Sequence, residues 1–366
     1  MQFIDLSIQQ TRIKANLDQR IQDVLAHGKY ILGPEVFELE AKLAQYVGVG
    51  HCVSCSSGTD ALSMSMIALG IKSGDEVITS PFTWISTVEA IVRLGAKAVF
   101  VDIDKDTYNV DASLIEAAIT EKTKAIIPVS LYGQCSDMTA INAIAKKYNL
   151  AVIEDGAQSF GATHHGKRSG GLAIIGCTSF FPAKPLGCYG DGGACFTDND
   201  ELAEKMRWVR VHGQRKRHDV QMVGINGRFD TLQAAILLEK FAIFPDEVER
   251  RQRVAESYNQ RLSGVVKTPD VLPENTSVYA QYTIACDDRD RIQAQLKEAG
   301  IPCGVYYPVP AHFQPAYQNL GYNSGDFPVA ESIVSKILSL PMHPYLEEEQ
   351  IDQICDVVKG SCLVKM

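Results

Sequence analysis

The stretch CTSFFPAKPLGCYGDGGACFT, residues 177–197, holds two short apolar runs, Cys177 to Phe181 and Ala194 to Thr197, joined by a loop rich in glycine, proline and aromatic residues. Apolar runs of this length bounded by Gly and Pro read as buried strands. Four more precede them, at Glu76 to Thr79, Ala98 to Ile103, Lys124 to Val129 and Ala151 to Glu154. Helical spacing fills most of the intervals. Near-continuous apolar strands alternating with helices predict a mainly parallel sheet covered on both faces, an α/β/α three-layer sandwich.

On the N-terminal side, Ile13, Leu17, Ile21 and Val24 form one apolar stripe of an amphipathic helix that Gly28 and Gly33-Pro34 bring to an end. Leu62, Met66 and Leu69 repeat the pattern just after Ser57-Gly58-Thr59. Beyond Asp230 the pattern becomes long helix, TLQAAILLEKF followed by DEVERRQRVAESYNQRL, with Pro245 expected to kink or break it. Shorter segments follow, including RIQAQLKEAG and AESIVSKIL, and predict a smaller α+β domain. The expected division is residues 1–245 for the large domain and 246–366 for the small one.

The chain has 366 residues, 46% hydrophobic and 22% charged, enough to bury a sizeable core and far from the composition of disorder. A formal charge of -9 gives no global basic field, which argues against nucleic acid as a partner. One local exception, Arg215-Lys216-Arg217-His218, is either a phosphate grip or a solvated loop. Ten scattered cysteines and an opening, MQFIDLSIQQ, without a charged-then-apolar leader lead us to expect a reduced, cytoplasmic protein. No apolar run approaches the roughly 18 residues that span a bilayer, so no membrane insertion is expected. Cys52 and Cys55, preceded by His51, lack a second ligand pair and read as buried thiols with no metal site.

Polar residues interrupt the strand pattern in three places, and ligands of open α/β sheets collect at the carboxyl ends of strands. In CSSGTDAL, Ser57-Gly58-Thr59 open a helix whose free N–H groups would suit a phosphate, or else form an ordinary N-cap. In VIEDGAQSFG, Asp155 ends an apolar run, either to pair with a buried cation such as a pyridinium nitrogen or to cap the next turn. The third place is Lys184, among Phe180, Phe181 and Tyr189, where partial desolvation would make its amine a usable nucleophile. Nothing matches a Walker A loop or a dinucleotide-binding G-x-G-x-x-G.

Together S-G-T-D-A-L, E-D-x-A-Q-S-x-G, S-F-x-P-x-K-x-L-G-x-x-G-D-G-G and G-x-N-x-R-x-D resemble the DegT/DnrJ/EryC1/StrS sugar aminotransferases, a branch of the fold type I pyridoxal-phosphate enzymes, over nearly the whole chain. The resemblance implies pyridoxal 5'-phosphate as cofactor, with Lys184 carrying it as a Schiff base and shuttling the proton. It implies Asp155 at the pyridinium nitrogen, Gln158 at the ring's 3-hydroxyl side, Gly58, Thr59 and Ser179 at the phosphate, and Trp84, in PFTWIST, stacked on the ring rather than buried in the core. Asn226 would reach the phosphate from a neighbouring subunit, which implies a homodimer with shared active sites. Arg228 in the same motif is a candidate for a substrate carboxylate, or else a surface residue. Lysine at 184, where related sugar dehydratases usually carry histidine, points to transamination.

HGKYILGPEV, IPVSLYGQC, PLGCYGDGGA, DTLQAAILL, SVYAQYT and SLPMHPYL look especially similar to the members that aminate the 3-keto carbon of UDP-2-acetamido-2-deoxy-3-oxo-glucuronate for bacterial O-antigen, with glutamate as donor. Tyr306, Tyr307 and His312, in GVYYPVPAHFQPAY, are the sugar-contact candidates, although Tyr306 stands where such enzymes often have histidine. Three rival readings are a dTDP-3-keto-6-deoxyhexose or 4-keto sugar as substrate, a cysteine desulfurase using Cys188, and a regulator or scaffold that keeps the fold without catalysis.

Overall fold

The computed structural model describes residues 1–363. Its central sheet has seven strands, β1 (His51–Cys55), β2 (Glu76–Thr79), β3 (Lys97–Phe100), β4 (Thr123–Ile126), β5 (Ala151–Asp155), β6 (Ile175–Ser179) and β7 (Gly193–Thr197), in the order β1-β7-β6-β5-β4-β2-β3. Only β7 runs against the others, pairing antiparallel with β1 and with β6. The six apolar runs all became strands of this sheet. β1 is the seventh, so the C-x-x-C pair belongs to a buried edge strand.

Helices cover both faces, completing the three-layer sandwich. They include α1 (Leu6–His27), α2 (Pro34–Val47), α3 (Gly58–Ala68), α4 (Ser86–Arg93), α5 (Met138–Tyr148), α6 (Asp200–Val209) and α7 (Thr231–Leu262). Asp5 starts α1 by accepting the backbone N–H groups of Ser7 and Ile8, and Ile13 and Leu17 then bury their stripe against Ile236 of α7.

Pro245 does not break α7, which runs on for 32 residues. An internal proline costs a helix roughly 3 kcal/mol through one lost hydrogen bond and a steric clash. Here Phe244, fully buried among Tyr46, Phe160 and Phe241, anchors the turn that the proline would otherwise open. The helix serves two cores. Ala234, Leu237, Leu238 and Phe244 pack with Leu39, Leu43 and Phe160, while Val254, Tyr258 and Leu262 pack with β8 (Tyr282–Ala285), β9 (Ile337–Leu340), α8 (Arg289–Glu298) and α9 (Glu348–Leu363). Among the described residues no helix is long and apolar enough to cross a membrane.

Candidate active site

A cavity of about 370 Å³ opens at the carboxyl ends of the strands. Asp155 is the last residue of β5, Ser179 is the last of β6, and Ser57 and Gly58 follow β1; all four line it, as do Trp84, Gln158 and Lys184. Segments far apart in sequence therefore converge because parallel strands end on one edge of the sheet.

Asp155 is only 4% exposed. Its Oδ2 accepts the Thr87 hydroxyl at 2.7 Å and its Oδ1 accepts the Ala157 N–H at 3.2 Å. Burial raises its pKa, against the pull of these two donors and of the Lys184 charge. No cationic side chain of the described residues lies within 4.0 Å of it. A buried carboxylate with two donors and no counter-ion is chemically suited to receive a cationic ring nitrogen.

Lys184 sits in the loop between β6 and β7, which is folded back tightly. Its N–H bonds the Phe181 carbonyl at 2.9 Å and Cys188 N–H bonds the Phe180 carbonyl at 2.8 Å. Gly187 is required there, because a Cβ would stand 2.5 Å from the Phe181 carbonyl oxygen. Among the described residues Nζ has no hydrogen-bond or ion-pair partner. Burial pushes its pKa down from 10.5 to about 8, and Asp155 pulls the other way. Of the three aromatic neighbours expected from the sequence, only Phe181 lines the cavity. Phe180 is core, and Tyr189 lies under the Lys240 ammonium, 4.2 Å from its ring centroid.

At the start of α3 the N-cap reading of the sequence is observed directly. Ser57 caps the helix by accepting the Asp60 N–H at 3.0 Å, and the N–H groups of Gly58 and Thr59 find no acceptor among the described residues. Gly58 presses on β6 so closely that a Cβ would stand 2.7 Å from Cβ of Ser179. Thr59 Oγ1 donates to Ser86 Oγ at 3.0 Å. Free amides, a helix dipole and the hydroxyls of Thr59, Ser86 and Ser179 on one wall could hold an anion.

Gln158 is buried and held at both ends, its Oε1 accepting the Tyr132 N–H at 2.9 Å and its Nε2 donating to the Tyr307 hydroxyl at 3.2 Å, with one N–H and one lone pair left over. Trp84 is 55% exposed, which rules out a core role, and its ring lies 5.5 Å from that of Tyr307. Tyr306 also lines the cavity, against Phe3.

Asn226, Arg228 and His312 do not line the cavity. Asn226 is exposed and Arg228 half-buried on a segment whose Gly227 carbonyl accepts Ser56 N–H at 3.0 Å, tying it to the back of the α3 turn. His312 is buried between Phe313 and Phe327, with Nε2 3.2 Å from Glu331. The Arg215 run forms an exposed hairpin in which Arg215 pairs with Asp219 at 2.8 Å, the solvated alternative. Cys188 is buried and its thiol pushed up to about 11, unlike a reactive desulfurase thiol. No cluster of metal ligands occurs among the described residues. Thr87, Ser86, Gln281 and Phe3 belong to the site without having been marked by the sequence; only tertiary placement distinguishes them.

The model of the DegT/DnrJ/EryC1/StrS aminotransferase family matches residues 11–359. The chain belongs to this family. A family relative from Pseudomonas aeruginosa, UDP-2-acetamido-2-deoxy-3-oxo-D-glucuronate aminotransferase, is 56% identical over 97% of this chain and 98% of its own length. Among solved structures, a DegT/DnrJ/EryC1/StrS aminotransferase from Brucella abortus is 47% identical, with a TM-score of 0.97 over 99% of this chain and 100% of that one. NtdA from Bacillus subtilis, with bound cofactor PMP, is 32% identical, with a TM-score of 0.91 over 98% of this chain and 83% of that one.

Proposed function

We propose that this aminotransferase holds pyridoxal 5'-phosphate in the cavity and transfers an amino group from glutamate to the 3-keto carbon of UDP-2-acetamido-2-deoxy-3-oxo-glucuronate, a step toward bacterial O-antigen. The observation that carries the chemistry is one cavity containing a partnerless, pKa-lowered Lys184 amine and the counter-ion-free carboxylate of Asp155. The substrate rests on the 56% identity to the Pseudomonas aeruginosa enzyme.

The residues fit the cofactor group by group. Gly58, Thr59 and Ser179 would take its phosphate, Trp84 would cover one face of the ring, and Gln158, already fixed by Tyr132, would stand at the 3-hydroxyl side. When bound, the cofactor supplies an electron sink that makes the donor's Cα proton removable. Asp155 would pair with the ring nitrogen and favour its protonated form, which preserves that sink. Lys184 would be the base for the donor's Cα proton, with Nζ holding it; burial already lowers the pKa of the free amine to about 8, within reach of neutrality. Tyr306 and Tyr307 would contact the sugar.

We assign Asn226 and Arg228 to the site of a second copy, making the active unit a homodimer. In support, Asn226 is exposed and, a few residues earlier in the chain, Val220 and Val223 are 62% and 88% exposed; exposed apolar side chains favour association. We assign the cofactor-binding part to 1–245 and the smaller domain to 246–366, with the junction inside α7.

The test is an absorbance spectrum of the protein with pyridoxal phosphate, before and after glutamate. A visible band that moves to the near ultraviolet supports cofactor and donor together, and Lys184→Ala should lose turnover. A protein that develops no band favours the scaffold reading. A panel of UDP-, dTDP- and GDP-linked 3- and 4-keto sugars then decides the acceptor.

A further inference from the structure

Tyr307 reaches the cavity from a point 149 residues along the chain from Gln158, and the two side chains meet in its wall. The two ends of a carboxamide are alike in outline and opposite in chemistry, so its partners decide which way it faces. The Tyr132 N–H can only donate, so the atom 2.9 Å from it must be the Gln158 oxygen. The nitrogen therefore faces Tyr307, whose hydroxyl oxygen accepts at 3.2 Å.

Either bond alone would leave the amide free to pivot about the bonded atom, whereas two bonds at opposite ends fix its plane. The Tyr132 end is firm. Its ring is buried against Phe82 and Tyr108, and the neighbouring Gly133 carbonyl accepts Val278 N–H at 3.0 Å. The Tyr307 end is a hydroxyl that stays protonated, since burial and then the Asp155 charge raise its pKa, on a ring 5.5 Å from that of Trp84. With the oxygen and one N–H committed, the second N–H of Gln158 lies in the same plane and can point in one direction only.

We infer that Tyr307 is a positioning residue for Gln158, holding the carboxamide so that its second N–H is presented to the cofactor's 3-oxygen. This rests on the reading above that places Gln158 at the 3-hydroxyl side of the ring, and it is separate from any contact of the Tyr307 ring with the sugar. A donor held at that oxygen stabilises its ionised form. The Schiff-base nitrogen, which shares a proton with the oxygen, then releases that proton at lower pH, and the visible band of the holoenzyme reports where it does so.

The test is a pH titration of that band in Tyr307→Phe, which removes the hydroxyl and keeps the ring beside Trp84. The midpoint rises by about one pH unit, the shift expected when a hydrogen bond to a charged group is lost or misdirected. Gln158→Leu raises it as well, and adding Tyr307→Phe to Gln158→Leu raises it no further, because a positioning residue has no effect once its target is gone. Titration of the apoproteins with pyridoxal phosphate gives the same pattern: Kd is about three- to tenfold higher in either single variant and no higher in the double. A midpoint and Kd that do not move in either single variant, or a full Tyr307→Phe effect that persists without Gln158, overturn the inference. A wild type that develops no band with pyridoxal phosphate overturns the functional reading and the inference with it, which is distinct from a band that forms and does not shift.

Discussion

Thr87 donates its hydroxyl hydrogen to Oδ2 of Asp155 at 2.7 Å, joining the first turn of α4 to the end of β5. The bond favours the charged form of a carboxylate whose burial works against it. Thr87→Val keeps the shape and removes the donor, so Asp155 becomes easier to protonate and pairs less well with a ring nitrogen. Titration of the apoprotein with pyridoxal phosphate should give a Kd raised about 10- to 100-fold, the worth of one hydrogen bond to a charged group. An unchanged Kd would make Thr87 a packing residue only.

Gly58→Ala introduces a methyl 2.7 Å from Cβ of Ser179, where neither backbone has room to yield. Overpacking of this kind costs about 1–3 kcal/mol, so Tm should fall by several degrees. Because the displaced wall is the candidate anion seat, affinity for pyridoxal phosphate should fall with it. A variant with lower Tm and intact cofactor affinity would separate the turn from the seat.

What the sequence revealed of this site is what strand ends carry. Asp155 and Ser179 lie at the ends of two of the six apolar runs, so the sheet pattern alone brings them to one edge, whereas Ser57-Gly58 follow β1, which was not among those runs, and were marked by their helix-opening pattern. Lys184 lies between two such runs. Thr87 and Gln281 were hidden because each depends on which element packs beside it, and helix α4 and the turn before β8 have no local signal for that. The burial of His312 was hidden for the same reason: its neighbours Phe327 and Glu331 arrive from a different segment and enclose it. Pro245 was weighed by local backbone rules, whereas the aromatic packing around Phe244 decides the outcome.

The rate at which apoprotein captures pyridoxal phosphate should report the Lys184 amine. With its pKa lowered from 10.5 to about 8, the neutral fraction climbs about tenfold per pH unit up to about pH 8 and then levels. A lysine in water would keep climbing to about 10.4. Stopped-flow mixing between pH 6 and 10 locates the break. Asp155→Asn, which removes the charge pulling that pKa upward, should move the break to lower pH.

Lys240 is 1% exposed, its Nζ has no hydrogen-bond partner, and burial lowers its pKa from 10.5 to about 8. Below about pH 8 the folded and unfolded states both hold the proton and the full desolvation penalty stands. From there to about 10.5 only the unfolded state holds it, so stability rises with pH. Lys240→Met should therefore stabilise the protein by on the order of 2 kcal/mol at pH 7, with the gain shrinking toward pH 10. Urea unfolding of both proteins at pH 7 and 9.5 checks the sign and the trend.

At about 1.5 Å per residue the 32 residues of α7 form a rod roughly 48 Å long, with one end embedded in each core. Such a rod cannot melt in its middle without baring Phe244 on one side and Val254 on the other. Heat should find no weak seam between the part of the molecule that carries Lys184 and the part that carries Gln281. The two halves of the cavity are thus kept in alignment by a shared beam, and a lesion in either core would be felt as misalignment at the other.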